Sequence, residues 1–75
     1  MALVTHLEKV ENHNKRNIHE EVGEAIFYII ETPSGKILQI DTFGRPQREF
    51  PSKVSQSIQF SPSALKQLKK IVETL

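Results

Sequence analysis

The chain has 75 residues, 10 Lys plus Arg against 9 Asp plus Glu, and no Cys. That length holds one domain with a marginal core, since a chain this short buries only about 60% of its unfolded surface. Absence of Cys excludes a disulfide framework, a Cys-based zinc site and a thiol nucleophile, and makes an intracellular setting, cytoplasm or nucleoid, the simple expectation. Small domains without disulfide or metal often reach stability by oligomerising, so a homodimer is expected.

The first unit spans residues 1–23. Leu3, Leu7 and Val10 fall at i, i+4 and i+7, one face of a helix. Thr5 followed three residues later by Glu8 has the form of a capping box. The pattern predicts a short helix near residues 3–12, or else a frayed extension. The polar run from Asn12 to Asn17 ends it.

Residues 24–31 are a strand: Ala25-Ile26-Phe27-Tyr28-Ile29-Ile30 is β-branched and aromatic between two glutamates. Thr32-Pro33-Ser34-Gly35 is a tight turn, with Pro and Gly where a type I turn favours them. Residues 36–43 are a second strand, antiparallel to the first across that turn. Leu38, Ile40 and Thr42 share one face; Ile37, Gln39 and Asp41 share the other, more polar one.

Residues 44–53 hold Gly44, Pro46 and Pro51 with three bases, Arg45, Arg48 and Lys53, and form a loop. Residues 54–60 alternate again, Val54, Gln56, Ile58 and Phe60 against Ser55, Ser57 and Gln59, with the first set assigned to the core. Ser61 and Pro62 then open a helix as N-cap and first residue. Leu65, Leu68, Ile71, Val72 and Leu75 make its apolar stripe. Strands followed by a helix give an α+β domain over residues 24–75. One helix covers only part of a sheet face, which leaves the rest for solvent, a ligand or a second subunit.

The stretch Ser57-Ile58-Gln59-Phe60-Ser61-Pro62-Ser63-Ala64-Leu65-Lys66-Gln67-Leu68-Lys69 resembles the strand-to-helix segment of the transcriptional coactivator family called positive cofactor four. The preceding order of strand, Gly35-Lys36 turn, strand ending near Ile40-Asp41 and basic Pro-containing loop is also similar. The likeness covers roughly residues 24–75. Leu65 stands where that family carries Trp, and Gln56-Ser57 where it carries Lys-Gly. The resemblance implies a small curved antiparallel sheet of three to four strands, a C-terminal helix that joins two copies, and non-sequence-specific binding of single-stranded DNA or RNA.

Such binding needs cations for phosphates and aromatic faces for bases. Lys36, Arg45, Arg48 and Lys53 are the candidate phosphate contacts; Tyr28, Phe43 and Phe50 are the candidate stacking groups. Leu68, Ile71, Val72 and Leu75 are the candidate dimer contacts. Phe27, Phe50 and Phe60 read more simply as core. The rival reading is a small protein-interaction module, an adaptor, inhibitor or subunit, that binds no nucleic acid.

No cofactor, metal or catalytic residue is expected. His6, His13 and His19 are spaced by seven and six residues, which does not set neighbours on one helical face. No phosphate-cradling or hydrolase motif occurs, no membrane partner is expected, and the domain does not read as an enzyme. The near-neutral total charge conceals an asymmetry: residues 1–31 carry a net −3 and residues 32–75 a net +4.

Overall fold

The computed structural model describes residues 1–11, 17–44 and 54–75. It contains β1 (Ala2–Val4), β2 (Ala25–Thr32), β3 (Gly35–Phe43), β4 (Val54–Phe60) and α1 (Pro62–Glu73), an α+β arrangement. The strands form one sheet in the order β1-β4-β3-β2.

β2 and β3 form the expected antiparallel hairpin, with Tyr28 opposite Gln39 and Glu31 opposite Lys36. Proline 33 cannot take the positive φ that the preferred two-residue hairpin turns require. Gly35 supplies the positive angle instead, at φ +129°. The Thr32 hydroxyl closes the turn by donating to the Gly35 carbonyl at 2.7 Å. β4 pairs antiparallel with β3, and the register jumps between Thr42 and Phe43, whose partners are Gln56 and Val54. Ser55 is therefore the extra residue of a β-bulge at the end of the pairing.

Residues 3–12 do not form the expected helix. β1 is a strand, parallel to β4, with Ala2, Leu3 and Val4 opposite Ile58, Gln59 and Phe60. The sheet is thus mixed rather than purely antiparallel. The i, i+4 spacing of Leu3 and Leu7 misled because tertiary pairing overrides a weak local preference. Leu3 and Val4 are as suited to a strand, and the open edge of β4 gives them ladder bonds. The pairing continues one step past β4, where the Ser61 amide donates to the Val4 carbonyl at 2.9 Å.

α1 begins as its sequence predicts. Ser61 is the N-cap, extended at φ −68° and ψ 167°, and its hydroxyl accepts from the Ala64 amide at 3.2 Å. Pro62 occupies the first turn, where its missing N–H costs nothing. The helix ends at Thr74, whose hydroxyl donates to the Ile71 carbonyl at 2.6 Å. Contacts of α1 with the sheet fall on β3 and β4.

Alternation and register divide the sheet into two faces. One carries Ala25, Phe27 and Ile29 beside Leu38 and Ile40, then Ile58 and Phe60, then Ala2 and Val4. The other carries Ile26, Tyr28 and Ile30 beside Ile37, Gln39 and Asp41, then Ser57 and Gln59. We call them the Phe27 face and the Tyr28 face. Among the described residues Ala64 is the only buried hydrophobic one. The large apolar residues among those described are half-buried or exposed, so the single chain carries much open apolar surface.

Candidate nucleic-acid interface

The Tyr28 face combines an aromatic ring with a row of side-chain amides. Tyr28 is 48% exposed and lies opposite Gln39. Gln59, opposite Gln39 on the far side, donates from Nε2 to Gln39 Oε1 at 2.8 Å. Gln39 in turn donates from its own Nε2 to Asp41 Oδ1 at 3.0 Å. The chain of bonds fixes which end of each amide points where, and it orients the Gln39 amide beside the phenol.

Asp41 anchors this row. It is 4% exposed, the only buried polar or charged residue among those described. A buried carboxylate is costly without partners. Here one oxygen accepts from Gln39, and no buried side-chain polar atom among the described residues lacks a partner. The sequence marked Gln39 and Asp41 only as one polar face of a strand. The i, i+2 spacing was the available signal, but their link to Gln59 depends on the β3–β4 register.

The predicted site residues are divided by the fold. Tyr28 and Phe43 share a face by alternation, four residues apart along the ladder, and Phe43 is half-buried at the end of β3. Ser57 and Gln59 join them from β4. Lys36 is exposed at the start of β3 but lies on the opposite face, across from Glu31. Arg45, Arg48, Phe50 and Lys53 lie outside the described residues.

The Phe27 face differs from expectation. Phe27, read from sequence as core, is 69% exposed, and Ile29 is also exposed. Ile58 is only partly covered as well. An open groove of about 370 Å³ is lined by Ala25, Ile26, Phe27, Leu38 and Ile40. A second, of about 300 Å³, runs between Met1, Ala2, Ile40 and Ile58. The physical reason is the reach of α1, whose 12 residues extend only about 18 Å and make their main sheet contacts with β3 and β4 rather than with β2.

The predicted dimer contacts are placed on one side of α1. Leu68 is half-buried, while Ile71, Val72 and Leu75 are exposed, Leu75 at 95%. Leu65, Leu68, Lys69, Val72 and Glu73 line a shallow groove. No described sheet residue lines that groove, and its apolar residues are flanked by charges of both signs, Lys69 and Glu73.

Among the described residues no three His, Cys, Asp or Glu side chains gather as a metal site would require. No described helix is long and apolar enough to cross a membrane. Comparison of the chain with protein-family models, curated proteins and solved structures finds no match.

Proposed function

We propose that the protein is a homodimeric module that binds single-stranded nucleic acid without sequence preference across the Tyr28 face. The observation that carries this reading is the exposed Tyr28 ring beside the Gln39–Gln59 amide pair on one sheet face. A base stacks on an aromatic face whatever its identity, and each stack contributes about 1–3 kcal/mol. Neighbouring amides and the Ser57 hydroxyl supply donors and acceptors to base edges or sugars. The net +4 of residues 32–75 supplies attraction for phosphate.

The homodimer completes the module. The exposed Ile71, Val72 and Leu75, with half-buried Leu68, offer one apolar patch that two copies would share about a two-fold axis. The resemblance to positive cofactor four supports the same arrangement through the order of hairpin, basic loop, strand and capped helix.

Fluorescence anisotropy with a labelled oligothymidine, a labelled oligouridine and a duplex control tests the reading. Binding to single strands that weakens steeply from about 50 to about 200 mM salt is the expected result. Absence of binding at low salt would refute it.

A further inference from the structure

We propose that the outer edge of β2 is a docking site for an extended peptide strand from another protein, apolar at alternate positions and carrying Lys or Arg at both ends. This goes beyond the nucleic-acid reading and does not depend on it, because it uses the strand's edge rather than the Tyr28 face.

The edge is unusually open. β2 is the last strand of the sheet and runs for eight residues, and no described residue pairs with its outer side. Natural edge strands are blunted by shortness, by Pro, by Lys or by a bulge. The opposite edge, β1, follows that rule with three residues. β2 contains no Pro, no Lys and no bulge, and its one charged residue is Glu31, which faces Lys36 across the hairpin.

The hairpin register identifies the free groups. The two-residue turn makes Thr32 and Gly35 a hydrogen-bonded pair, and Phe43 donates to the Glu24 carbonyl at 3.0 Å at the other end. In an antiparallel ladder such pairs alternate with pairs whose backbone groups face outward. The amides and carbonyls of Ala25, Phe27, Ile29 and Glu31 therefore point away from β3. The side chains of the same four residues are exposed. A docked strand would gain ladder bonds and would set its own apolar side chains beside Phe27 and Ile29.

Charge decides the occupant. Glu24 and Glu31 bracket the strand, and residues 17–32 contain no Lys or Arg at all. A second copy of β2 brings no base to either glutamate. Only the odd-numbered residues turn their backbone groups outward, so a facing antiparallel copy pairs in registers such as Phe27 opposite Ile29, where Glu31 meets Ala25 and Glu24 meets Thr32. Opposite charges directly across a strand pair stabilise it. A peptide with basic residues seven positions apart meets both glutamates and both free rows of backbone groups. This is strand addition to a sheet edge, in which ladder bonds give affinity and alternate side chains give specificity.

The test titrates the full chain with the fluorescein-labelled peptide Lys-Thr-Val-Thr-Val-Thr-Val-Lys, whose valines fall opposite Ile29, Phe27 and Ala25 when its lysines meet Glu31 and Glu24 in antiparallel pairing, and with the same peptide ending in Glu at both positions. The expected result is binding of the Lys-ended peptide, about fivefold or more tighter than the Glu-ended one. Ile29→Pro removes one outward N–H without removing a β2–β3 bond, so the fold is retained and peptide binding is lost. Should that variant fail to fold, the exposed double change Glu24→Lys with Glu31→Lys is read instead, and it reverses the preference between the peptides. Equal affinity for both peptides, no detectable binding, or unchanged binding by a folded Ile29→Pro variant would overturn the proposal. So would self-association that Ile29→Pro abolishes, which would make a second copy the occupant.

Discussion

The side-chain amide of Gln67 holds both backbone groups of Leu7. Its Oε1 accepts from the Leu7 N–H at 2.7 Å, and its Nε2 donates to the Leu7 carbonyl at 3.0 Å. One glutamine thus extends the ladder that β1 began, from the middle of α1. Ser63 adds a second tie one turn earlier by donating to the Thr5 carbonyl at 3.0 Å. The amino-terminal segment is a strap across the start of the helix, joined to β4 by strand pairing and to α1 by side chains.

Gln67→Ala removes both bonds to Leu7 at once. Hydrogen exchange at the Leu7 amide should accelerate by at least about tenfold while the α1 amides keep their protection, because the helix has its own cap. The stability lost should be about 1–2 kcal/mol in urea unfolding, the scale of two partly exposed hydrogen bonds.

Gly35→Ala tests the turn that joins β2 to β3. A Cβ there would stand 3.0 Å from Pro62 Cγ, and the backbone already sits at φ +129°. Both effects oppose any side chain, so a loss of about 1–3 kcal/mol is expected. Combining it with Pro62→Ala removes the close contact but not the backbone strain. The double variant should recover part of the loss, measured as a coupling energy in a double-mutant cycle.

Asp41→Ala leaves the Gln39 amide without its acceptor at a buried site and should cost about 1–3 kcal/mol. Asp41→Asn keeps the oxygen and should cost much less. Equal losses from the two variants, measured by urea midpoints, would show that the row on the Tyr28 face is not held by this bond.

Tyr28→Ala and Lys36→Ala separate the two sheet faces. Tyr28→Ala should weaken oligonucleotide binding by about 1–3 kcal/mol at every salt concentration. Lys36 lies on the other face, so its removal should leave both affinity and salt slope nearly unchanged. A reduction in the salt slope by about one unit on losing Lys36 would place the strand on the Phe27 face instead.

Ile71→Asp puts a charge in the middle of the outward stripe of α1. The proposed dimer predicts that the wild-type chain sediments as dimer and the Ile71→Asp variant as monomer; a monomeric wild-type chain would refute it. The exposed Lys66→Asp change on the same helix serves as control and should leave the dimer intact.

The strands β2, β3 and β4 and the helix were legible because each is specified locally. β-branched runs with period two, Pro33 and Gly35 in the turn, and Ser61-Pro62 before a periodic stripe all state their own structure. The division of Leu38 and Ile40 from Gln39 and Asp41 followed from alternation alone. The strand identity of Ala2–Val4 was not legible, since three residues carry too little pattern and their pairing partner lies more than fifty positions away. The exposure of Phe27 was hidden for a similar reason. An aromatic in an apolar run reads as core, and only the tertiary structure shows that this one stays exposed.

The candidate site divides in the same way. The sequence by itself supplied the aromatic, amide and basic residues, the capped helix and the charge asymmetry between the two ends of the chain. Tertiary structure decided their grouping: Tyr28 with Gln39, Gln59 and Asp41 on one face, Lys36 with Phe27 on the other, and β2 as the last strand of the sheet, unpaired on its outer side by any described residue. Register and layer order are long-range properties, and a one-residue slip exchanges the faces of a whole strand. Local propensity cannot state which neighbour a strand will find, so composition supplied the candidate residues and pairing assigned them their places.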